Sequence, residues 1–200
     1  TASVTVKYSN GATQTKSIGP GAKQSFIACD ASGMSAGFSG AATVTSDVDV
    51  IAIGKAYGSG LSTAFVGAST GASELAMPYV RWASNTNWNN GTQQRTFITI
   101  QNIGGADLAA NSVTVDYIDK NGNVVASHDL PAIAAGAKVN SSAADAGLTE
   151  FGVYSDGSFG GGAIVRGPSG SRLAVVARVS SLVAQGSYVS EDYNAMPVAP

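Results

Sequence analysis

The sequence predicts an all-β protein built from short strands, and three observations support that prediction. Glycine accounts for 25 of the 200 residues, and Thr, Ser, Val and Ala fill most of the rest, which is typical of strands joined by tight turns. Apolar and polar residues alternate in stretches such as SVTVDYI at 112–118, as a strand buried on one face requires. No stretch sustains the 3.6-residue period of an amphipathic helix.

Composition also narrows the classes of function. Hydrophobic residues make up 44% of the chain, enough for buried cores, whereas charged residues make up only 12%. The net charge is −2 and the sequence has no Lys/Arg cluster, which argues against a nucleic-acid partner. No apolar run approaches the roughly 18 residues of a membrane-spanning helix, so we expect no membrane-spanning segment. A surface with few charges suits contact with other protein copies, because few charges must be desolvated.

The chain is an internal repeat. SVTVKY at 3–8 recurs as SVTVDY at 112–117, and FSGAATV at 38–44 recurs as FGGGAIV at 159–165. Three further blocks recur in the same order: GPGAKQS (19–25) as AAGAKVN (134–140), CDASGM (29–34) as AADAGL (143–148), and AMP at 76–78 and again at 195–197. Five blocks in one order, at offsets of roughly 110 to 120 residues, indicate two copies of one structural unit.

The second copy can be read as seven strands. We predict them at residues 77–83, 95–102, 112–118, 123–129, 136–142, 161–167 and 172–180. The Asn-Gly pair in DKNGN (119–123) is of the type that tolerates positive φ in a hairpin turn. Seven short strands separated by turns predict a β-sandwich.

The first copy begins at the third strand of this pattern. We therefore divide the chain into an incomplete first sandwich (1–74, hereafter copy one), a complete second sandwich (75–190, copy two) and a donor-like C-terminal strand (191–200). Copy one lacks counterparts of residues 77–102, and AMPVAP (195–200) repeats the start of a first strand. An unfinished sandwich exposes unpaired backbone groups and an uncovered core.

A neighbouring copy can supply the missing strand. Ala195, Met196, Pro197 and Val198 would insert as a donor strand, adding main-chain hydrogen bonds in the manner of β-augmentation. Such a head-to-tail contact does not close on itself and builds a filament. Alternatively, the 200 residues belong to a longer repeat protein in which the missing strands precede Thr1.

The pattern resembles the tandem immunoglobulin-like β-sandwich repeats of prokaryotic extracellular surfaces and filaments. NSVTVDYIDKNGNVVAS (111–127) followed by AGAKVNSSAADAGL (135–148) carries the resemblance. It implies two immunoglobulin-like domains in tandem at an extracellular or cell-surface location. Stalks, surface arrays, adhesins and filament subunits occur in such families, and some related filaments exchange donor strands. The expected partner is therefore another copy of the same protein.

The loop WASNTNWNNGT (82–92) is the candidate binding site for surface glycans. Trp82 and Trp88 flank a run of amide and hydroxyl side chains that includes Asn89, and aromatic planes beside amides can bind sugar rings. In that case the protein would be a carbohydrate-binding or adhesive module of a larger cell-surface repeat protein. The alternative is that Trp82 belongs to the core.

Two sequons mark candidate glycosylation sites. Asn90-Gly-Thr and Asn140-Ser-Ser both fit the acceptor pattern. Surface Ser and Thr hydroxyls are the alternative carriers of sugar.

The remaining residues give little support to catalysis or metal binding. We expect Cys29, the one cysteine, to be a small buried apolar residue, and His128 to lie on the outward face of a strand. DKNGN lacks the further carboxylates of a calcium loop, so we interpret it as a turn. No nucleophile elbow accompanies His128, and we expect neither enzyme activity nor a cofactor.

Overall fold

The computed structural model describes residues 1–58, 61–85, 94–153, 160–184 and 187–198. Within these ranges the chain forms fourteen strands and one short 3-10 helix, Ala28–Asp30, and no α-helix. The strands are β1 (Ala2–Tyr8), β2 (Thr13–Ile18), β3 (Ala42–Ser46), β4 (Ile53–Gly58), β5 (Leu61–Val66), β6 (Glu74–Met77), β7 (Gln94–Asn102), β8 (Thr114–Asp119), β9 (Val124–Asp129), β10 (Lys138–Ser141), β11 (Gly161–Arg166), β12 (Leu173–Ala184), β13 (Ser187–Asn194) and β14 (Met196–Pro197). The all-β prediction is confirmed.

The strands form antiparallel sheets. Copy one contains a three-stranded sheet in the order β2-β1-β3 and the hairpin β4-β5. Copy two contributes a four-stranded sheet, β10-β7-β12-β13, and a five-stranded sheet, β14-β6-β11-β8-β9. All described ladders are antiparallel, as expected where consecutive strands are joined by short turns.

One hydrophobic cluster holds the two sheets of copy two together. Met77, Val115 and Val165 of the five-stranded sheet share it with Ile98 and Ile100 of the four-stranded sheet. Alternate residues of each strand face this cluster, as the period of two in the sequence requires. Two antiparallel sheets around one core are compatible with a β-sandwich.

The sequence prediction was wrong about the first strand of copy two. That strand was expected at 77–83, whereas β6 covers Glu74–Met77, and Pro78, which has no N–H to donate, follows it immediately. Further along, Trp82 makes isolated bridges to Arg95 and Phe151 instead of a ladder.

Another strand, β13, was not predicted from the sequence. β12 continues to Ala184, and β13 returns beside it over Ser187–Asn194. The expected boundary between residues 190 and 191 therefore falls inside β13.

One pair of corresponding strands has the same register in the two copies, namely β1 with β3 in copy one and β8 with β11 in copy two. In copy one, Val6 lies opposite Val44 and Tyr8 lies opposite Ala42. In copy two, the matching pairs are Val115 with Val165 and Tyr117 with Ala163. These residues are the ones that the SVTV(K/D)Y and FxGxA(T/I)V motifs align. The repeat seen in the sequence therefore recurs in the strand pairing.

We expect Val165→Ala to lower the free energy of unfolding by about 2 kcal/mol, because it leaves a cavity in a closed core. Val165 is 0% exposed, whereas its counterpart Val44 is 38% exposed. Val44→Ala is the matched control and should cost less than about 0.5 kcal/mol. Urea unfolding of the monomeric protein measures both, and equal losses would contradict the difference in burial.

Candidate functional site

The open edges of copy one are the first component of the candidate site. In copy two, β11 pairs with β6 on one side and β12 pairs with β7. The corresponding strands of copy one are β3 and β4, and within the described residues each has a partner on one edge only. Their other edges present backbone N–H and C=O groups to solvent, which is the usual template for pairing with an additional strand.

Apolar side chains line these open edges. Alignment of IAIGKAY (51–57) with LAVVARV (173–179) matches Ile51 with Leu173. Ile51 is 89% exposed, whereas Leu173 is 0% exposed. The same positions of the repeat are therefore covered in copy two and uncovered in copy one. Exposed apolar residues that lie together in this way are typical of an interaction surface.

Copy one has only a small core of its own. Val6, Tyr8, Ala12 and Ala31 form its buried cluster. Phe38 packs edge-on against Tyr8, with ring centroids 6.3 Å apart. This cluster covers the inner face of β1, while β3 and β4 stay largely exposed. The copy is thus held together at one end and open at the other.

The predicted donor segment is the second component of the site. Met196 and Pro197 form β14, which pairs with Ala76 and Leu75 of β6 in the same chain, and the Val198 N–H donates to the Glu74 carbonyl at 3.1 Å. The two AMP motifs of the sequence thus lie side by side and antiparallel. The structure is of a single chain, so the donor role of residues 195–198 remains a prediction.

The Met196 side chain of β14 points away from the core. Residues directly opposite in an antiparallel pair lie on the same face of the sheet, so Met196 shares the face of Ala76. Met77, the next residue of β6, lies on the core face and is 1% exposed, whereas Met196 is 57% exposed. The methionine of the motif is therefore buried in one copy of AMP and solvent-exposed in the other.

The chain is firmly held up to Ala195 and weakly held after it. Arg178 binds the Asp192 carboxylate through two hydrogen bonds of 2.8 Å each. Asn194 exchanges side-chain hydrogen bonds with both the N–H and the carbonyl of Val66. The Ala195 N–H donates to the Val175 carbonyl at 3.0 Å. Beyond this point, the described backbone hydrogen bonds of the segment go only to β6.

Tyr193 also anchors the chain at this place. Its hydroxyl donates to the Tyr79 carbonyl, and burial raises the pKa of Tyr193 to about 12. The neutral phenol is therefore part of the folded arrangement just before β14.

Trp82 is the one residue of the glycan-binding prediction that the structure describes. It packs against the core of copy two and meets Phe97 edge-on, with ring centroids 5.5 Å apart. The Arg95 guanidinium lies 4.8 Å from the centre of the Trp82 ring. These contacts occupy much of the ring, as the core alternative requires. Trp88 and Asn89 lie outside the described residues, so glycan binding remains a prediction.

Of the two sequons, Asn90 lies outside the described residues and Asn140 lies in β10. Asn140 is exposed, and its side-chain oxygen accepts hydrogen bonds from Thr99 and Lys138. Ser142, the hydroxyl residue of this sequon, is buried, and it donates through both its N–H and its hydroxyl to the Asp145 carboxylate. Modification of Asn140, which remains a prediction, would have to precede this packing.

The expectations for Cys29 and His128 were wrong. Cys29 is exposed in the 3-10 helix, because copy one has too small a core to enclose it. His128 is half-buried, and its Nδ1 lies 2.8 Å from the Ser141 hydroxyl. The same hydroxyl lies 2.8 Å from that of Tyr117, and Ser141 is itself buried. This network joins β9, β10 and β8 inside copy two.

The DKNGN segment is a turn, as predicted. The Asp119 carboxylate accepts hydrogen bonds from the backbone N–H groups of Asn121 and Asn123 at 2.8 and 2.9 Å. These bonds, above all the one from Asn123, lower the pKa of Asp119. Gly122 adopts a φ of 88°, which glycine tolerates without strain. The turn therefore sets the register of β8 and β9.

Neither known proteins nor the described residues point to a further functional site. No protein-family model matches the chain, and neither curated proteins nor solved structures give a match. Across the described part of the chain, no group of three or more His, Cys, Asp or Glu side chains is placed to hold a metal ion. In the same ranges no helix is long and apolar enough to cross a membrane.

We expect the stability of the protein to depend on Tyr193 at alkaline pH. An unfolded tyrosine titrates near pH 10, so above about pH 10 the unfolded state loses its proton first and the folded state loses stability until about pH 12. Tyr193→Phe removes this contribution. Urea midpoints at about pH 9 and about pH 12 should fall less in the variant than in the wild type. Equal falls in both proteins would show that Tyr193 is not buried as described.

Proposed function

We propose that this protein is a structural subunit of an extracellular filament or surface array, and that its copies join head-to-tail by strand donation. The observation that carries the proposal is the contrast between matched positions of the repeat. Leu173 and Met77 are buried in copy two, while Ile51 and Met196 are exposed in copy one and in β14. One chain thus carries an unpaired strand edge in copy one and an exposed apolar segment of the type that this edge lacks.

The two components are complementary in chemistry. The open edge of β3 offers unpaired backbone groups, and residues 195–198 offer an extended segment whose Met196 and Val198 side chains are exposed. Pairing between them would add main-chain hydrogen bonds and remove Met196 from water. Because donor and acceptor are different surfaces of one chain, the contact is heterologous and propagates into a linear assembly.

The resemblance supports the extracellular placement, and the composition suits contact between copies. Only 12% of the residues are charged, and the repeat resembles the immunoglobulin-like modules of prokaryotic surface proteins. In a longer repeat protein, the same contact would join consecutive units of one polypeptide. The strand pairing is the same whether it forms between separate chains or between units of one longer polypeptide. An experiment with separate chains shows whether it forms between molecules.

Met196→Asp tests the proposal with Val124→Asp as a matched control. Met196 is 57% exposed and Val124, at the far edge of the same sheet, is 54% exposed, so both variants should fold. Burying an unpaired carboxylate costs about 3 kcal/mol or more, which corresponds to about a hundredfold higher concentration for assembly. Sedimentation and electron microscopy should show fibres of the wild type and of Val124→Asp, but dispersed Met196→Asp subunits.

Two results would contradict the proposal. A wild-type chain that stays dispersed at high concentration is not a self-assembling subunit. A Met196→Asp variant that forms fibres as readily as the wild type does not use residues 195–198 as the donor.

A further inference from the structure

We infer that β14 changes partners on assembly: residues 196–198 leave β6 of their own chain, and residues 195–198 pair with the free edge of β3 in a second copy, with Met196 opposite Ala42. This inference rests on the proposed function and adds to it the acceptor strand, the register and the release of an internal pairing.

Copy two supplies the register. There Met77 of the first AMP motif lies opposite Ala163 of β11. Ala163 also lies opposite Tyr117, just as Ala42 lies opposite Tyr8 in copy one. Ala42 is therefore the counterpart of Ala163, and Met196 is the counterpart of Met77. Copy two thus shows that the position of Ala42 pairs with the methionine of the AMP motif.

Backbone direction shows that the internal pairing must be released. Successive residues of a strand direct their N–H and C=O groups to opposite edges. Val198 bonds to Glu74 of β6, so Met196, two residues earlier, faces β6 as well. Pro197 faces the outer edge and has no N–H to donate. The bonding edge of β14 is therefore already in use, and a second strand cannot pair there until β6 is released.

The position of β11 beside β6 leads to the same conclusion. β11 lies on the edge of β6 opposite β14, and there the Gly167 N–H donates to the Ser73 carbonyl at 2.7 Å. Met77, four residues after Ser73, directs its backbone to that same edge. If Met196 takes the place of Met77 beside β3, its own N–H and C=O groups must bond to β3. Those groups now bond to β6, so the pairing with β6 must be released first.

The change of partner turns an exposed face inward. Beside β6, Met196 lies with Ala76 on the outer face of the sheet, whereas in the place of Met77 it would face the core. What is lost is a ladder of two residues, Met196 and Pro197, together with the hydrogen bond from the Val198 N–H to the Glu74 carbonyl. The anchor at Ala195, whose N–H is held by Val175, stays in place and acts as the hinge.

The sequence departs from the first motif in the residues directly before AMP, and this limits the donated stretch. Leu75 of the first motif is matched by Asn194, which β13 and Val66 hold in place. The donated strand therefore starts at Ala195 and lies opposite Thr43 and Ala42 of β3, and then opposite Ala41 and Gly40, which directly precede β3. β4 remains open for a second strand of the β7 type.

Disulfide trapping between two different chains tests the register. Both chains carry Cys29→Ser, since Cys29 is exposed. One chain carries Ala42→Cys and the other carries Met196→Cys with a tag that makes it larger. Directly opposed residues of an antiparallel pair are about 4.5 to 5.5 Å apart at Cα, within the range of a disulfide. Thr43→Cys replaces Ala42→Cys in the control, because neighbouring residues of a strand point to opposite faces.

Mild oxidation of the assembled mixture should give a disulfide-linked heterodimer at least about tenfold more abundant with Ala42→Cys than with Thr43→Cys. Equal yields, or no heterodimer although the two chains assemble together, would overturn the inference and leave the proposed function standing. If the Cys29→Ser parent shows no assembly, the proposed function fails and the inference fails with it.

Discussion

A β-strand needs a partner for its backbone on each buried edge and a cover for its apolar face, and this requirement governs the whole chain. Copy two meets it, because β6 and β7 cover β11 and β12. Copy one pairs β1 with β3 in the register of β8 with β11, but β3 and β4 lack those two neighbours among the described residues. One unit is consequently closed and the other is open, although their sequences correspond.

The region around β14 combines a rigid support with a weakly held strand. Arg178, Asp192 and Asn194 fix the end of β13 through charged and amide hydrogen bonds. Met196 and Val198 come next, exposed and held only by the short pairing with β6. A segment held in this way loses few contacts when it moves, while its point of departure stays fixed. This asymmetry makes an exchange of partners physically reasonable.

Much of the strand pattern could be predicted from the sequence, because alternation and turn residues determine it locally. Val113, Val115 and Tyr117 were expected on one face and are all buried. β13 was not found in this way, because its sequence SYVSEDYN is largely polar, although it pairs with β12, the strand directly before it in the chain. The pairing of β14 with β6 and the exposure of Cys29 likewise depend on which surfaces remain uncovered after folding, and a local pattern does not encode this.

The central claim is that an acceptor on one chain takes a donor from the next, and mixing two defective chains tests it most directly. Met196→Asp leaves the acceptor intact, and Ala42→Asp leaves the donor intact. In sedimentation velocity each chain alone should remain monomeric, and the mixture should form dimers of one chain of each kind and nothing longer. A mixture that stays monomeric, or a single variant that polymerises by itself, would contradict the account.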